Sequence, residues 1–241
     1  MALFRLDSSI RTEGSISREV ADVVEDAWVG HVVRRDIGLN PLPSDAWAAA
    51  VTGSYVPEEA RTPAQRQALA LAATLADELL DAQTVLIATP LYNFGVPAHV
   101  KAWIDLVITD PRFGPGNRPL EGKAVVLVAV RGGGYGAGTP REGWDHATPY
   151  LLRILGDVWG ADVTLVEAEL TLADVVPAMA ELRDAAAASR GEAREKAATV
   201  GRRHAALTAA SERPPTRSAP SPTAGTRGRA RSPGAGGCSR G

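Results

Sequence analysis

Apolar and polar positions alternate in blocks along the first 210 residues. Residues 84–89 (TVLIAT) and 124–130 (AVVLVAV) are continuous apolar runs, a pattern typical of strands that are buried on both faces of a sheet. Shorter runs predict three further strands, at residues 3–6, 32–35 and 162–166. Between them, amphipathic or alanine-rich stretches predict helices over residues 15–29, 63–80, 97–107, 148–159 and 177–207.

Strands that alternate with helices predict βαβ units and a parallel sheet. Five strands within roughly the first 170 residues favour an α/β fold of the doubly wound, flavodoxin-like kind, with strand order 2-1-3-4-5. Right-handed crossovers then bring the carboxyl ends of all strands to one edge of the sheet. A ligand is expected outside that edge, beside the first and third strands.

The charge divides the chain into two parts. The net charge is only -2, but residues 211–241 hold six arginines and one acidic residue, so residues 1–210 carry -7. The acidic part argues against nucleic-acid binding by the folded domain. Residues 211–241 also lack Leu, Ile, Val and aromatic residues. We therefore predict a folded domain over residues 1–210 and a disordered tail over residues 211–241.

Several classes of protein are disfavoured by what the sequence lacks. Its single cysteine, Cys238, excludes a disulfide framework, and the spacing of its four histidines matches no metal site, so no metal is expected. No apolar run approaches the ~20 residues of a membrane span, and the first residues do not resemble a signal peptide, so a cytoplasmic protein without membrane contact is expected. The glycine patterns of Rossmann dehydrogenases and P-loop ATPases are absent.

Three loops after strands carry the candidate chemistry. The loop after the first strand, residues 8–17 (SSIRTEGSIS), is rich in hydroxyls and leads into a helix, so it suits a phosphate group, although simple helix capping explains it equally well. The loop after the third strand, residues 90–97 (PLYNFGVP), offers aromatic residues to a flat ring, or a turn packed under the sheet edge. The loop after the fourth strand, residues 131–140 (RGGGYGAGTP), allows close approach to a ligand, or serves as a flexible lid.

Four segments in order resemble one enzyme family. They are the hydroxyl-rich first loop, the PLYNF segment at 90–94 with the following Lys101, Trp103 and Asp105, the Arg-Gly-Gly segment at 131–133, and the Thr-Pro-Tyr-Leu segment at 148–151. Over roughly residues 1–170 the chain resembles the FMN-dependent NADH azoreductases, also known as NADH:quinone oxidoreductases.

The resemblance implies an FMN site with three parts. Its phosphate would bind Ser9, Ser15, Ile16 and Ser17, and its isoalloxazine ring would lie along Leu91, Tyr92, Asn93 and Phe94. The far side of the ring would be closed by Val130, Arg131, Gly132 and Gly133. The family often has Gln in place of Ile16 and Ser in place of Val130, so these contacts would rest more on the backbone.

The resemblance also implies a reaction. NADH or NADPH would reduce the flavin and leave, and a quinone or azo compound would then accept two electrons in a ping-pong cycle. No catalytic acid or base is needed from the chain, since the flavin carries the chemistry. Two alternatives stay open: a flavin reductase that supplies reduced FMN to a monooxygenase, and a non-catalytic electron carrier or regulator.

The four histidines and two aromatic residues are considered for further roles. His146 is a candidate substrate contact, and the alternative is an exposed side chain without such a role. His31, His99 and His204 are expected at the surface. The family usually forms homodimers, for which Trp103 and Tyr135 are interface candidates. Burial in the core is the alternative for Trp103.

Overall fold

The computed structural model describes residues 2–211, with side chains up to residue 206. Five parallel strands form one sheet in the order β2-β1-β3-β4-β5, which confirms the predicted fold class. The strands are β1 (Ala2–Asp7), β2 (His31–Asp36), β3 (Thr84–Pro90), β4 (Ala124–Val130) and β5 (Asp162–Ala168). The predicted tail, residues 211–241, lies outside the described residues except for Ser211.

Six α-helices surround the sheet in the described part of the chain. They are α1 (Ile16–Asp26), α2 (Ala46–Ser54), α3 (Pro63–Asp81), α4 (Ala98–Ile108), α5 (Thr148–Leu152), which continues as a π-helical turn over Arg153–Val158, and α6 (Arg183–Ser211). Each predicted helix is present. The start of α3 shows why it forms there: Thr62 and Gln65 form a reciprocal capping box, and Pro63 occupies the first turn.

Two helical features differ from the sequence prediction. Helix α2 was not predicted, because its apolar residues in the segment AWAAAV surround the helix instead of forming one stripe. The segment predicted as one helix over residues 177–207 begins as a 3-10 turn over Pro177–Leu182 and becomes α-helical only at Arg183.

Each face of the sheet has its own core. Helices α2 to α5 cover one face, where the Trp159 ring contacts Trp103 and Phe113 at centroid distances of 6.0 and 5.1 Å. Trp103 is only 1% exposed, so burial in the core is the correct alternative and its candidacy as an interface residue is wrong. Tyr135, the other candidate, is half-buried in the loop after β4.

Helices α1 and α6 cover the opposite face and contact each other closely. Glu19 of α1 binds the guanidinium groups of Arg190 and Arg194 of α6. A Cβ on Gly201 would lie 2.7 Å from the carbonyl oxygen of Val24, so the two backbones meet where only glycine fits. These contacts hold α6 against α1.

The histidines are only partly where the sequence suggested. His31 and His146 are exposed. His99 is half-buried, and its Nε2 lies 2.7 Å from the carbonyl oxygen of Ser8. His204 is buried where α6 crosses the amino ends of β3 and β4, and this burial lowers the pKa of its imidazole. The expected surface positions are therefore wrong for His99 and His204.

Two kinds of structural feature are absent from the described residues. Across residues 2–211, no helix combines the length and the apolar character needed to cross a membrane. Within the same range, no group of three or more His, Cys, Asp or Glu side chains is placed to hold a metal ion.

Candidate functional site

A cavity of about 230 Å³ opens at the carboxyl edge of the sheet, beside the ends of β1, β3 and β4. We call it the edge cavity. Eight of the predicted FMN-binding residues line it: Ser9, Ser15, Ile16, Ser17, Leu91, Tyr92, Val130 and Gly132. Five further lining residues were not among the predicted FMN contacts: Arg11, Gly14 and Pro90, which lie on the predicted loops, and Thr171 and Leu172, which follow β5. The predicted loops therefore do meet at one place.

The loop after β1, residues 8–15, forms the polar end of the edge cavity. The Ser15 hydroxyl caps α1 by accepting the Arg18 N–H at 3.5 Å and lies 3.3 Å from the Ser17 hydroxyl. The Ser9 hydroxyl accepts the Arg11 N–H at 3.2 Å. The amides of the first turn of α1 have no intrahelical acceptor and lie at the positive end of the helix dipole. Capping and phosphate binding are compatible here.

Arg18 fixes the path of this loop. Its guanidinium donates to the carbonyl oxygens of Ser9 at 2.7 Å and Arg11 at 3.0 Å, and it pairs with both oxygens of Asp36 at 2.7 and 3.0 Å. Burial alone would raise the pKa of Asp36, but hydrogen bonds from Arg18 and from the Gly38 and Leu39 amides lower it overall. The loop backbone is thereby held by charge-assisted bonds.

Gly38 lies directly against the backbone of the same loop. A Cβ at this position would lie 2.2 Å from the carbonyl oxygen of Ser9 and 2.8 Å from the carbonyl carbon of Ser8. Only glycine permits this approach without moving the backbone. Sequence reasoning missed Arg18, Asp36 and Gly38; the one available signal was the glycine two residues after the end of the second strand.

The loop after β3 contains a tight turn over residues 92–95. Tyr92 and Gly95 exchange two backbone hydrogen bonds, at 3.0 and 3.3 Å, and the central residues Asn93 and Phe94 have φ angles of +48° and +66°. Two positive φ values are the signature of a type I′ turn, which Asn tolerates well and Phe poorly. Asn93 and Phe94 are therefore at the exposed tip of the turn, beyond the lining of the edge cavity.

Neighbouring segments fix this turn on both sides. The Leu91 amide donates to the carbonyl oxygen of Val130 at 2.7 Å, which joins the ends of β3 and β4. The Tyr92 hydroxyl accepts the Ile10 N–H at 3.2 Å, which ties the turn to the loop after β1. The Phe94 ring does not pack under the sheet edge, since 39% of the residue is exposed.

Arg131, at the start of the loop after β4, is directed into an ion-pair network. Its guanidinium binds Asp145 at 2.6 Å, Glu167 at 2.6 Å and Glu169 at 3.1 Å, and it donates to the Thr148 hydroxyl at 3.0 Å. Burial alone would lower the pKa of Arg131, but these partners raise it, so the side chain stays charged. Its side chain therefore serves the loop and not the edge cavity.

The glycines after Arg131 allow neighbouring segments to come close. A Cβ on Gly132 would lie 2.7 Å from Cδ1 of Leu172, a residue of the segment after β5. A Cβ on Gly133 would lie 2.7 Å from Nη1 of Arg141. Gly132 thus belongs to the cavity wall together with Leu172, whereas Gly133 lies beside the Arg141 and Tyr135 side chains and does not line the cavity.

Aromatic residues gather beside the turn. The Phe94 ring contacts Trp144 and Tyr135 edge to face, at centroid distances of 5.5 and 6.4 Å. The backbone N–H of His146 donates to the carbonyl oxygen of Phe94 at 3.0 Å. The exposed His146 side chain is thus held near the turn, and its role as a substrate contact stays a prediction.

The donor set of the edge cavity fits FMN. Hydroxyls, helix amides and the cationic Arg11 at one end suit a phosphate dianion, and Leu91, Tyr92, Val130 and Leu172 at the other end suit a flat apolar ring. The cavity is smaller than the roughly 300–1,000 Å³ of typical ligand pockets. A cofactor held here would therefore extend past the mouth of the cavity.

Comparisons with known proteins agree with this assignment. Residues 1–194 match the family model described as Flavodoxin-like fold. An FMN-dependent NADH:quinone oxidoreductase of Kineococcus radiotolerans is 41% identical over 217 residues, which cover 86% of this chain and 98% of that protein. A protein of the same name from Frankia alni is 40% identical over 196 residues, with coverages of 78% and 92%.

Solved structures show the same fold. An azoreductase from Bacillus anthracis aligns with a TM-score of 0.65 at 21% identity, over 84% of this chain and 98% of that one. The fold and the edge cavity define a flavodoxin-like protein. Within that class, the chain belongs to the family of FMN-dependent NADH:quinone oxidoreductases, which confirms the resemblance described above.

Proposed function

We propose that this chain is an FMN-dependent oxidoreductase that uses NADH to reduce quinones, and azo or other aromatic acceptors, by two electrons. The edge cavity carries the proposal, because it joins a phosphate-binding helix terminus to an apolar slot at the switch point of the sheet. The names of the relatives, which are FMN-dependent NADH:quinone oxidoreductases, support it. The chemistry that FMN would supply when bound is hydride uptake from the nicotinamide and two-electron reduction of the acceptor.

The residues of the chain bind and orient the cofactor in this proposal. Ser9, Ser15 and Ser17 donate hydroxyl hydrogen bonds to the phosphate, and the amides of the first turn of α1 and the Arg11 cation complete its shell. Ile16 and Val130 offer no polar side chain, so the hydrogen bonds at these two places come from backbone groups.

The remaining lining residues exclude water from the ring. Leu91, Val130 and Leu172 present apolar atoms, and Gly132 lets the wall come close. No Asp, Glu, His or Lys lines the edge cavity within the described part of the chain. Four other predicted residues lie outside this wall. Arg131 and Gly133 hold the loop after β4. Asn93 and Phe94 would lie beside the exposed side of the ring.

The proposal has four further parts: a ping-pong order, a homodimer, a cytoplasmic location and the use of NADPH as an alternative donor. Parallel lines in double-reciprocal plots of rate against NADH, at several quinone concentrations, would support the ping-pong order, and intersecting lines would contradict it. Sedimentation gives the oligomeric state, cell fractionation gives the location, and the same plots with NADPH give the donor preference.

The central experiment uses the purified protein. Mass spectrometry of the released cofactor should find FMN; recovery of FAD would contradict the proposed site. NADH alone should bleach the flavin absorbance under anaerobic conditions, and a quinone should restore it. Bleaching only in the presence of a partner protein would favour the electron carrier, and loss of flavin during gel filtration would favour the flavin reductase.

A matched pair of variants tests the phosphate end. Replacing both Ser15 and Ser17 by Ala removes two hydroxyls of the edge cavity and should weaken FMN binding about tenfold or more, since each hydrogen bond to a charged group contributes roughly 1.5–3 kcal/mol. Ser54→Ala is the control, because the Ser54 hydroxyl donates only to the carbonyl oxygen of Val51, at 2.7 Å on the exposed end of α2. Equal affinities in both proteins would place the phosphate elsewhere.

A further inference from the structure

One arginine lies near the edge cavity without lining it and takes no part in the proposed function. Arg141 lies in the loop after β4, and its Nη1 lies only 2.7 Å from where a Cβ on Gly133 would be. Gly133 directly follows Gly132, which lines the edge cavity. The guanidinium therefore lies beside the residue that directly follows Gly132 of the cavity wall.

Two aromatic rings hold this guanidinium. Its Cζ lies 5.9 Å from the ring centroid of Phe94 and 5.9 Å from that of Tyr135. Both distances are within the range of a cation–π contact. Phe94 is at the tip of the turn after β3, so Arg141 bridges that turn and the loop after β4 while remaining exposed.

Unlike Arg18 and Arg131 at the same edge of the sheet, Arg141 has no carboxylate partner among the described residues. Arg18 pairs with Asp36 and Arg131 pairs with three acidic side chains, whereas Arg141 makes no ion pair with any residue in the range 2–211. The adjacent carboxylate of Glu142 instead accepts the Gly138 amide at 2.8 Å. Arg11 also has no ion pair among these residues, but it lines the phosphate end of the edge cavity.

We propose that Arg141 determines acceptor specificity by binding an anionic substituent, a sulfonate or a carboxylate, on a flat aromatic acceptor. This inference rests on the proposed function and names the substrate class of the same site. A guanidinium offers paired N–H donors that match the oxygens of either anion. The rings of Phe94 and Tyr135 hold it without neutralising it, and the exposed Trp144 edge beside Phe94 extends the apolar surface on which the acceptor body would rest.

The kinetic test compares two acceptors that differ in one charge, naphthoquinone and naphthoquinone sulfonate, with NADH as donor. In Arg141→Gln, the ratio of kcat/KM for the sulfonate to kcat/KM for the uncharged quinone should fall about tenfold, and Arg141→Lys should recover part of it. Arg202→Gln is the control, because Arg202 is an exposed arginine near the end of α6, at the opposite edge of the sheet, and should keep the original ratio. In about 1 M salt, where the Debye length is roughly 3 Å, the original protein should lose much of its preference.

A binding test needs no turnover. Calorimetry with naphthalene sulfonate and the uncharged naphthalene sulfonamide should show an anion preference that Arg141→Gln reduces by a similar factor. Bound FMN and gel-filtration size are matched between the proteins first, so that the preference reports the Arg141 side chain.

The outcomes separate the two proposals. If the original protein reduces neither quinone with NADH, the proposed function fails, whatever calorimetry shows for Arg141. If it reduces both quinones and the ratio is the same in Arg141→Gln, the inference about Arg141 is overturned while the proposed function stands. A raised KM for NADH with an unchanged ratio would also overturn it, because the recognised anion would then be the dinucleotide pyrophosphate.

Discussion

The loops after β1 and β4 border the same cavity, but they are held at different atoms. The loop after β1 is short and is held at its backbone: Gly38 approaches the Ser9 carbonyl oxygen, and the Arg18 guanidinium binds the carbonyl oxygens of Ser9 and Arg11. The loop after β4 is longer, and side chains hold it, chiefly the ion pairs of Arg131. The proposed phosphate end is therefore shaped by contacts to the loop backbone, whereas the loop beside the proposed acceptor surface is held chiefly by contacts between side chains.

The largest expected effect comes from Arg131→Met. It leaves Asp145, Glu167 and Glu169 without their shared cation, so the free energy of unfolding should fall by about 3 kcal/mol, the low end for a broken buried ion pair because the Glu167 side chain is 41% exposed. Urea unfolding measures it. Arg153→Met is the control: its ion pair joins side chains that are 73% and 63% exposed, and its removal should cost less than about 1 kcal/mol. Equal losses would mean that Arg131 does not hold the loop.

Gly38→Ala should disturb the other loop by a smaller amount. The added Cβ would lie 2.2 Å from the Ser9 carbonyl oxygen, and forcing such a contact typically costs about 1–3 kcal/mol. FMN affinity should fall together with stability, because Ser9 moves. Thermal unfolding and fluorescence titration with FMN report the two effects.

Gly191→Ala is the matched control for that substitution. Gly191 lies within α6, and a Cβ there would meet no atom within 4 Å. The change should raise the free energy of unfolding by roughly 0.5–1 kcal/mol, since alanine is the better helix former. If both alanine variants behaved alike, the close contact under Ser9 would have no energetic weight.

The Arg18–Asp36 pair predicts a dependence on pH. The pKa of Asp36 is lowered in the folded protein, so its contribution is fully present above the unfolded value of about 3.9 and is lost as the pH falls through the lower folded value. The original protein should therefore be more stable than Asp36→Asn near pH 7. Urea unfolding at a series of pH values should show this difference shrinking toward about pH 3. A difference that is constant over that range would show that the charge of Asp36 does not hold the loop.

The smallest effect concerns Asn93, for which two variants separate backbone from side chain. Both Asn93→Ala and Asn93→Gly remove the amide and should weaken FMN binding roughly three- to tenfold. Only Asn93→Ala should also destabilise the turn, by about 1 kcal/mol, because its φ of +48° suits Gly and Asn but not Ala. Asn93→Ala should also slow reduction of the flavin by NADH, which stopped-flow measurement of the loss of flavin absorbance can show.

The control for Asn93 is Asn117→Ala. The Asn117 Nδ2 donates to the carbonyl oxygen of Pro111 at 2.9 Å, away from the edge cavity, so its loss should leave FMN affinity unchanged. If Asn93→Gly binds FMN as tightly as this control does, the Asn93 amide does not contact the flavin.

Local patterns were sufficient for much of the fold. The apolar runs of β3 and β4 and the capped start of α3 are features of contiguous residues, so the sequence predicts them well. Helix α2 shows the limit, since its AWAAAV segment has no one-sided stripe. The strand order followed from the alternation of five strands with helices, which is typical of the doubly wound flavodoxin-like fold and needs no side-chain detail.

The site divides in the same way. The three loops could be located because each follows a strand directly, and the resemblance to the azoreductases indicated which of their residues would contact FMN. Gly38 and Leu172 could not be named, because they matter through contacts with segments distant in sequence. The direction of the Arg131 side chain was also hidden, since it depends on Asp145, Glu167 and Glu169 in three-dimensional space.

The contact between α1 and α6 has a consequence for biosynthesis. The ribosome releases Glu19 long before its partner Arg190, which is 171 residues further along the chain. Until α6 emerges, the apolar faces of Val20 and Val24 on α1, and of the sheet beneath them, have no cover from Ala193 and Ala197. A nascent chain that has completed the sheet therefore leaves these apolar side chains partly uncovered until α6 emerges, and ribosome-bound chains stalled before α6 should be more sensitive to protease than chains stalled after it.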